Sequence, residues 1–110
     1  MDEFKVIFAE RSRSDLRTIT LRVARLSGAE RAERLGNQLI DKALTLKSFP
    51  ERGRVVPEFA DPQIREIIFK SYRIVYRIRA DHVEVIRFWH VARGTPEIDS
   101  DEFIPPGTRE

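Results

Sequence analysis

The chain has 110 residues, 41% of them hydrophobic, no cysteine, and a net charge of +2 from 20 basic and 18 acidic side chains. That length predicts one domain with a modest core, and the lack of cysteine excludes disulfides, a thiol nucleophile and cysteine-based metal sites. No apolar run approaches the roughly 18 residues of a membrane span, and "MDEFKVIFAE" lacks the pattern of a signal peptide, so the chain reads as soluble and cytoplasmic.

"FKVIFA" (4–9) is rich in β-branched and aromatic residues and predicts a strand. Ser12 and Asp15 then have the spacing of a capping box. Leu16, Ile19, Val23 and Leu26 recur at helical spacing, which predicts a helix over about 12–26. Ser27 and Glu30 repeat the cap signal, and Ala32, Leu35, Leu39, Ala43 and Leu46 form a second stripe that Pro50 ends. Gly36 lies inside that stripe and should weaken the helix by up to about 1 kcal/mol relative to Ala. The short connection makes the helices an antiparallel hairpin.

"PERGRVVPEFADP" (50–62) reads as a loop or edge segment, with three prolines and a glycine. Three strands follow, at about 64–71, 72–79 and 83–91, with short turns between them. The second places Tyr72, Ile74, Tyr76 and Ile78 on one face and Arg73, Val75, Arg77 and Arg79 on the other. The third is apolar at both parities and is expected inside the sheet, covered on both sides. Trp89 and Tyr76 read as core residues. The order is strand, helix pair, three-stranded antiparallel meander, an α+β fold with the helices on one face. The domain is expected over 1–93. An acidic, proline-containing tail over 94–110 is expected to be poorly ordered.

Charge is uneven along the chain. Residues 52–93 hold nine basic and five acidic side chains, and 97–110 hold one and five. Sixteen of the twenty basic residues are arginine, whose planar fork suits phosphate and carboxylate. With the helices on the other face, Arg73, Arg77 and Arg79 are expected on the open face of the sheet, with Arg65 on the neighbouring strand. That row reads either as a binding face for an acidic partner or as a solvated face paired with acids such as Glu66 and Glu84. His90 reads as a structural histidine or as an acid–base group, since imidazole titrates near neutrality. Glu58, in the exposed "VVPEF" run, reads as surface or as a general base. There is no Gly-rich phosphate loop and no metal-ligand spacing, so no cofactor or metal is expected. The serines at helix starts give no support to a serine hydrolase.

The run Ser14-Asp15-Leu16-Arg17-Thr18-Ile19, "GRVVPEF" (53–59), "IREI" (64–67), "YRIVYRI" (72–78) and "VEVIRFWHVAR" (83–93) resembles the RelE/ParE superfamily of type II toxins. The resemblance covers residues 4–93. It implies a growth-inhibiting toxin held inactive by an antitoxin with an acidic segment, and one of two activities. RelE-like members cut mRNA on the ribosome, and on that branch Glu58 would be the base, His90 the acid, and Arg73 and Arg93 the stabilisers of the charged transition state. ParE-like members poison DNA gyrase without a known nuclease site. The chain departs from the RelE pattern: Val91 follows His90, no tyrosine follows Tyr76, and only four lysines occur. It is therefore closer to the ParE-like branch, with the RelE-like endonuclease and a non-toxic binding module as alternatives. On every branch Arg65, Arg73, Arg77 and Arg79 are the residues expected to meet a partner.

Overall fold

The computed structural model describes residues 3–98. Strand β1 (Lys5–Phe8) leads into helices α1 (Glu10–Ser27) and α2 (Ala29–Leu44), followed by strands β2 (Arg54–Val55), β3 (Ile64–Phe69), β4 (Tyr72–Ile78) and β5 (His82–His90). One sheet results, in the order β1-β5-β4-β3-β2. The three-stranded meander is its centre, as expected. β2 adds antiparallel to β3, and β1 adds parallel to β5 at the far edge. β1 and β5 are not consecutive: the helical hairpin carries the chain from β1 at one edge of the sheet to β2 at the other, and the meander then returns to place β5 beside β1.

The helix ends differ from the capping-box reading. α1 begins at Glu10, and its cap, Ala9, makes no side-chain hydrogen bond. Ser12 is fully buried and donates its hydroxyl hydrogen to Ala9 O at 2.7 Å. Asp15 is drawn away from the helix terminus by a stronger partner: its carboxylate accepts from Arg87 Nε and Nη2 at 2.7 and 2.8 Å, and from the Phe88 N–H at 3.0 Å. A bidentate bond between two ions outweighs a cap bond to an uncharged N–H. α2 likewise starts without a side-chain cap. Gly36 is buried at the hairpin interface, where a Cβ would lie 3.1 Å from Thr20 Cγ2. Close approach of the two helices explains a residue that costs α2 propensity.

The sheet is covered on both faces. On the helix side Leu39, Ala43 and Leu46 pack with Ile74, Tyr76, Val85 and Phe88, and Leu16, Ile19 and Leu35 of the predicted stripes close over them. On the other side Val56, Ile64, Val75 and Ile86 pack beneath Phe59 and Ile98. The double parity of β5 has a specific cause. The register with β4 passes from Val75↔Arg87 to Tyr76↔Val85, so Ile86 is an extra, bulged residue. The bulge keeps Val85 and Phe88 on the helix side and turns Ile86 to the other.

The domain extends past residue 93. Gly94 O accepts from Arg73 Nη1 and Trp89 Nε1, Pro96 is buried, Glu97 O accepts from Arg87 Nη1, and Ile98 joins the second core. The first residues of the expected tail are thus a strap across the sheet. The remainder of that tail, 99–110, lies outside the described residues. Among the described residues no helix is long and apolar enough to cross a membrane.

Candidate functional site

The face away from the helices carries the polar chemistry, and alternation explains why. On β4, Arg73, Val75 and Arg77 point to this face, opposite Ile68, Glu66 and Ile64 of β3. Glu66 is 1% exposed. One of its oxygens accepts from Arg73 Nε at 2.5 Å and the other from Arg54 at 2.6–2.7 Å. Arg73 then reaches outward. Nη1 and Nη2 donate to the two oxygens of Glu58 at 3.1 and 2.9 Å, and Nη1 also donates to Gly94 O at 3.0 Å. Its guanidinium is therefore held by two carboxylates and a carbonyl. The bonds from Arg73 hold the Glu58 carboxyl below its ordinary 4.5, and that pairing in turn raises Arg73. Both stay charged at neutral pH.

A second cluster adjoins the first. Trp89 lies opposite Arg73 on β5, with the Arg87 guanidinium 4.7 Å and the Arg93 guanidinium 3.7 Å from its ring centroid. Arg93 thus ends in a cation–π contact.

This arrangement corrects the picture of an open arginine row. Arg73 and Arg77 are 7% and 5% exposed, and Arg73 is covered by the 56–60 turn and the 94–98 strap through Glu58 and Gly94 O. Neither is available as a contact surface. Arg79 lies past the end of β4, 43% exposed, in a 3.4 Å pair with Glu84. The pairings with Glu66 and Glu84 considered from the sequence are both present. Arg65 points to the other face, opposite Tyr76, where it donates to Pro62 O and Gly53 O.

Of the four residues of the nuclease scheme, three share one side of the sheet and His90 lies on the other. Glu58 and Arg73 are paired with each other, and Arg93 stacks on Trp89, all on the strap side. His90 is the register partner of Tyr72, and the two rings meet edge to face with centroids 5.1 Å apart on the helix side. His90 Nδ1 accepts from the Ala92 N–H at 3.1 Å. The sheet separates His90 from the carboxylate that would have to serve it. Asp15 and Arg54 were missed as members of the polar system. Asp15 carried a competing local role as a cap, and its partner is 72 residues away. Among the described residues there is no group of three His, Asp or Glu side chains able to hold a metal.

Comparison with known proteins places this geometry. The family model described as the ParE toxin of the type II toxin–antitoxin system, parDE, matches residues 6–94. The chain belongs to that family, within the RelE/ParE superfamily of toxins. No curated protein matches it. Among solved structures it is similar to a chain of the chromosomal ParDE system from P. aeruginosa, with TM-score 0.70, 16% identity, and coverage of 80% of this chain and 96% of that one. It is also similar to a chain of the RelBE2 toxin–antitoxin complex from Mycobacterium tuberculosis, with TM-score 0.61, 22% identity, and coverage of 82% and 93%. At these identities the likeness is one of fold, and it agrees with the α+β architecture described above.

Proposed function

We propose that this toxin blocks bacterial growth by poisoning DNA gyrase in the cytoplasm, and that a cognate antitoxin neutralises it. The observation that carries the gyrase reading is the separation of His90 from the other nuclease candidates. Glu58 is occupied by Arg73, and His90 lies across the sheet from both. A general acid and base must both reach the reacting ribose and phosphate, and these two groups face different solvent. The ParE family match supports the same branch. Both similar structures come from toxin–antitoxin systems, which supports an antitoxin as partner.

Two assays separate this reading from its rivals. Purified protein added to gyrase and relaxed plasmid should suppress supercoiling. Primer extension on a message translated in a purified system should show no new 5′ ends. Cleavage at codon boundaries together with normal supercoiling would instead assign a ribosome-dependent endonuclease. Normal growth on induction would make the chain a non-toxic binding module.

A further inference from the structure

A second charged site lies on the helix side, away from the Glu58–Arg73 network. A recess of about 300 Å³ opens between the C-terminal end of α1, the outer side of α2 and the β3–β4 turn. Its walls carry Arg31, Arg34, Lys70, Tyr72 and His90. Among the described residues no acidic side chain lines it, in a chain with 18 acids against 20 bases. On α2, Glu33 lines the groove between the helices, and Arg31 and Arg34 line the recess. Arg31 and Arg34 are three residues apart on one helical stripe, about 4.5 Å along the axis. They form no ion pair among the described residues. Arg22 adds a further positive charge near the Tyr72 hydroxyl.

The recess also has a stacking surface. Tyr72 and His90 are half-buried, edge to face, at its floor. His90 Nδ1 already accepts a backbone N–H, so the neutral ring carries its proton on Nε2, a donor. Lys70 is held in place by Gln38 Oε1 at 3.1 Å.

We propose that this recess binds the phosphodiester backbone of a nucleic acid, with Arg31, Arg34 and Lys70 on phosphate and the Tyr72–His90 pair as the surface on which a base or sugar lies. Exposed cations beside part-exposed aromatic rings are the combination that holds single strands without sequence preference. An acidic peptide would use the cations and leave the rings idle. The proposal does not depend on which target the toxin acts on.

The test is fluorescence anisotropy of the full chain with a labelled single-stranded oligonucleotide across a range of salt. Each phosphate contact on a single strand contributes roughly 0.7 to the slope of log affinity against log salt. Arg31→Ala/Arg34→Ala should weaken binding about tenfold at 0.1 M salt and reduce that slope by roughly 1.4. Arg25→Ala, which removes an exposed arginine outside the recess, should leave the slope unchanged. All three substitutions are at exposed helix positions where alanine favours the helix, and circular dichroism will verify folding. Equal slopes for the double variant and the wild type overturn the proposal. So does poly-glutamate of matched charge binding as tightly as the oligonucleotide. Displacement of the oligonucleotide by inorganic phosphate or a mononucleotide at equal phosphate concentration would overturn the polymer as the source of the phosphate.

Discussion

Arg73 shows how far one residue's role depends on what surrounds it. Read along its strand, it is one of a row of cations. In the fold it is 7% exposed and bound to Glu66, Glu58 and Gly94 O. The two carboxylates differ in kind. Glu66 is buried and bridges two arginines. Glu58 has a side chain 32% exposed and can find water if the pair breaks. Glu66→Ala should therefore cost about 1–3 kcal/mol, because it leaves the buried Arg73 Nε without an acceptor while Glu58 and Gly94 O still hold the rest of the guanidinium, and lower the melting temperature by roughly 5 °C or more. Glu58→Gln should cost less than about 1 kcal/mol at pH 7. It should also change the acid limb of stability. The Glu58 carboxyl is held below 4.5 by the bonds from Arg73, so its contribution is complete above that value and is lost as pH falls through the lowered one. Chemical denaturation from pH 7 to pH 3 should show wild type and Glu58→Gln converging at the acid end. A constant difference would mean that the pair contributes nothing through ionisation.

At the scale of elements, the turns that hold β2 and the 56–60 segment decide whether Glu58 reaches Arg73 at all. Tyr76 Oη accepts from the Gly53 N–H at 3.0 Å and donates to Pro50 O at 2.6 Å, which ties the incoming loop to the central strand. A Cβ at Gly53 would lie 2.5 Å from both Glu66 O and Tyr76 Oη. Gly53→Ala should cost about 1–3 kcal/mol by overpacking, and hydrogen exchange should quicken in β2 before it does in β4. Ala60 offers the opposite case. It closes the turn after Glu58 at φ 51°, with its N–H on Val56 O at 3.2 Å. The left-handed region costs a non-glycine residue roughly 1–2 kcal/mol, so Ala60→Gly should raise stability by about 0.5–1 kcal/mol after the added chain entropy. A fall in melting temperature would show that the turn is not under that strain.

For the whole molecule, the strap at 94–98 makes the sheet's second face an interior. It supplies acceptors for Arg73, Trp89 and Arg87 and adds Pro96 and Ile98 to the packing. A chain ending at Arg93 would lose all of these at once. Thermal unfolding of that truncation should begin at least 10 °C lower, with the Trp89 fluorescence shifted toward that of a solvated indole. An unchanged melting curve would mean that the strap lies on the sheet without stabilising it. The same closure bears on function. It removes Arg73 and Arg77 as partner contacts, whereas Arg79, Arg31 and Arg34 are among the basic groups that stay exposed.

Local periodicity was enough for the elements: the 3.6-residue stripes of the helices and the 2-residue alternation of β4 and β5 lie within a few residues of where they form. The motif run at 53–93 was enough for the superfamily. Both signals are short-range and survive in a single sequence. The pairing of β1 with β5 was not legible, nor the Ile86 bulge, the Asp15–Arg87 bridge or the strap, because each depends on contacts between residues far apart in the chain or on a register that alternation does not specify. The candidate site was legible as a set of residue types and not as a place. Strand parity put Arg73 and His90 in the same few strands without saying that one bulge and one turn would leave them on opposite sides of the sheet. Which arginines face a partner was decided by burial. A guanidinium two residues along a strand is solvated or sealed depending on what the rest of the chain lays over it.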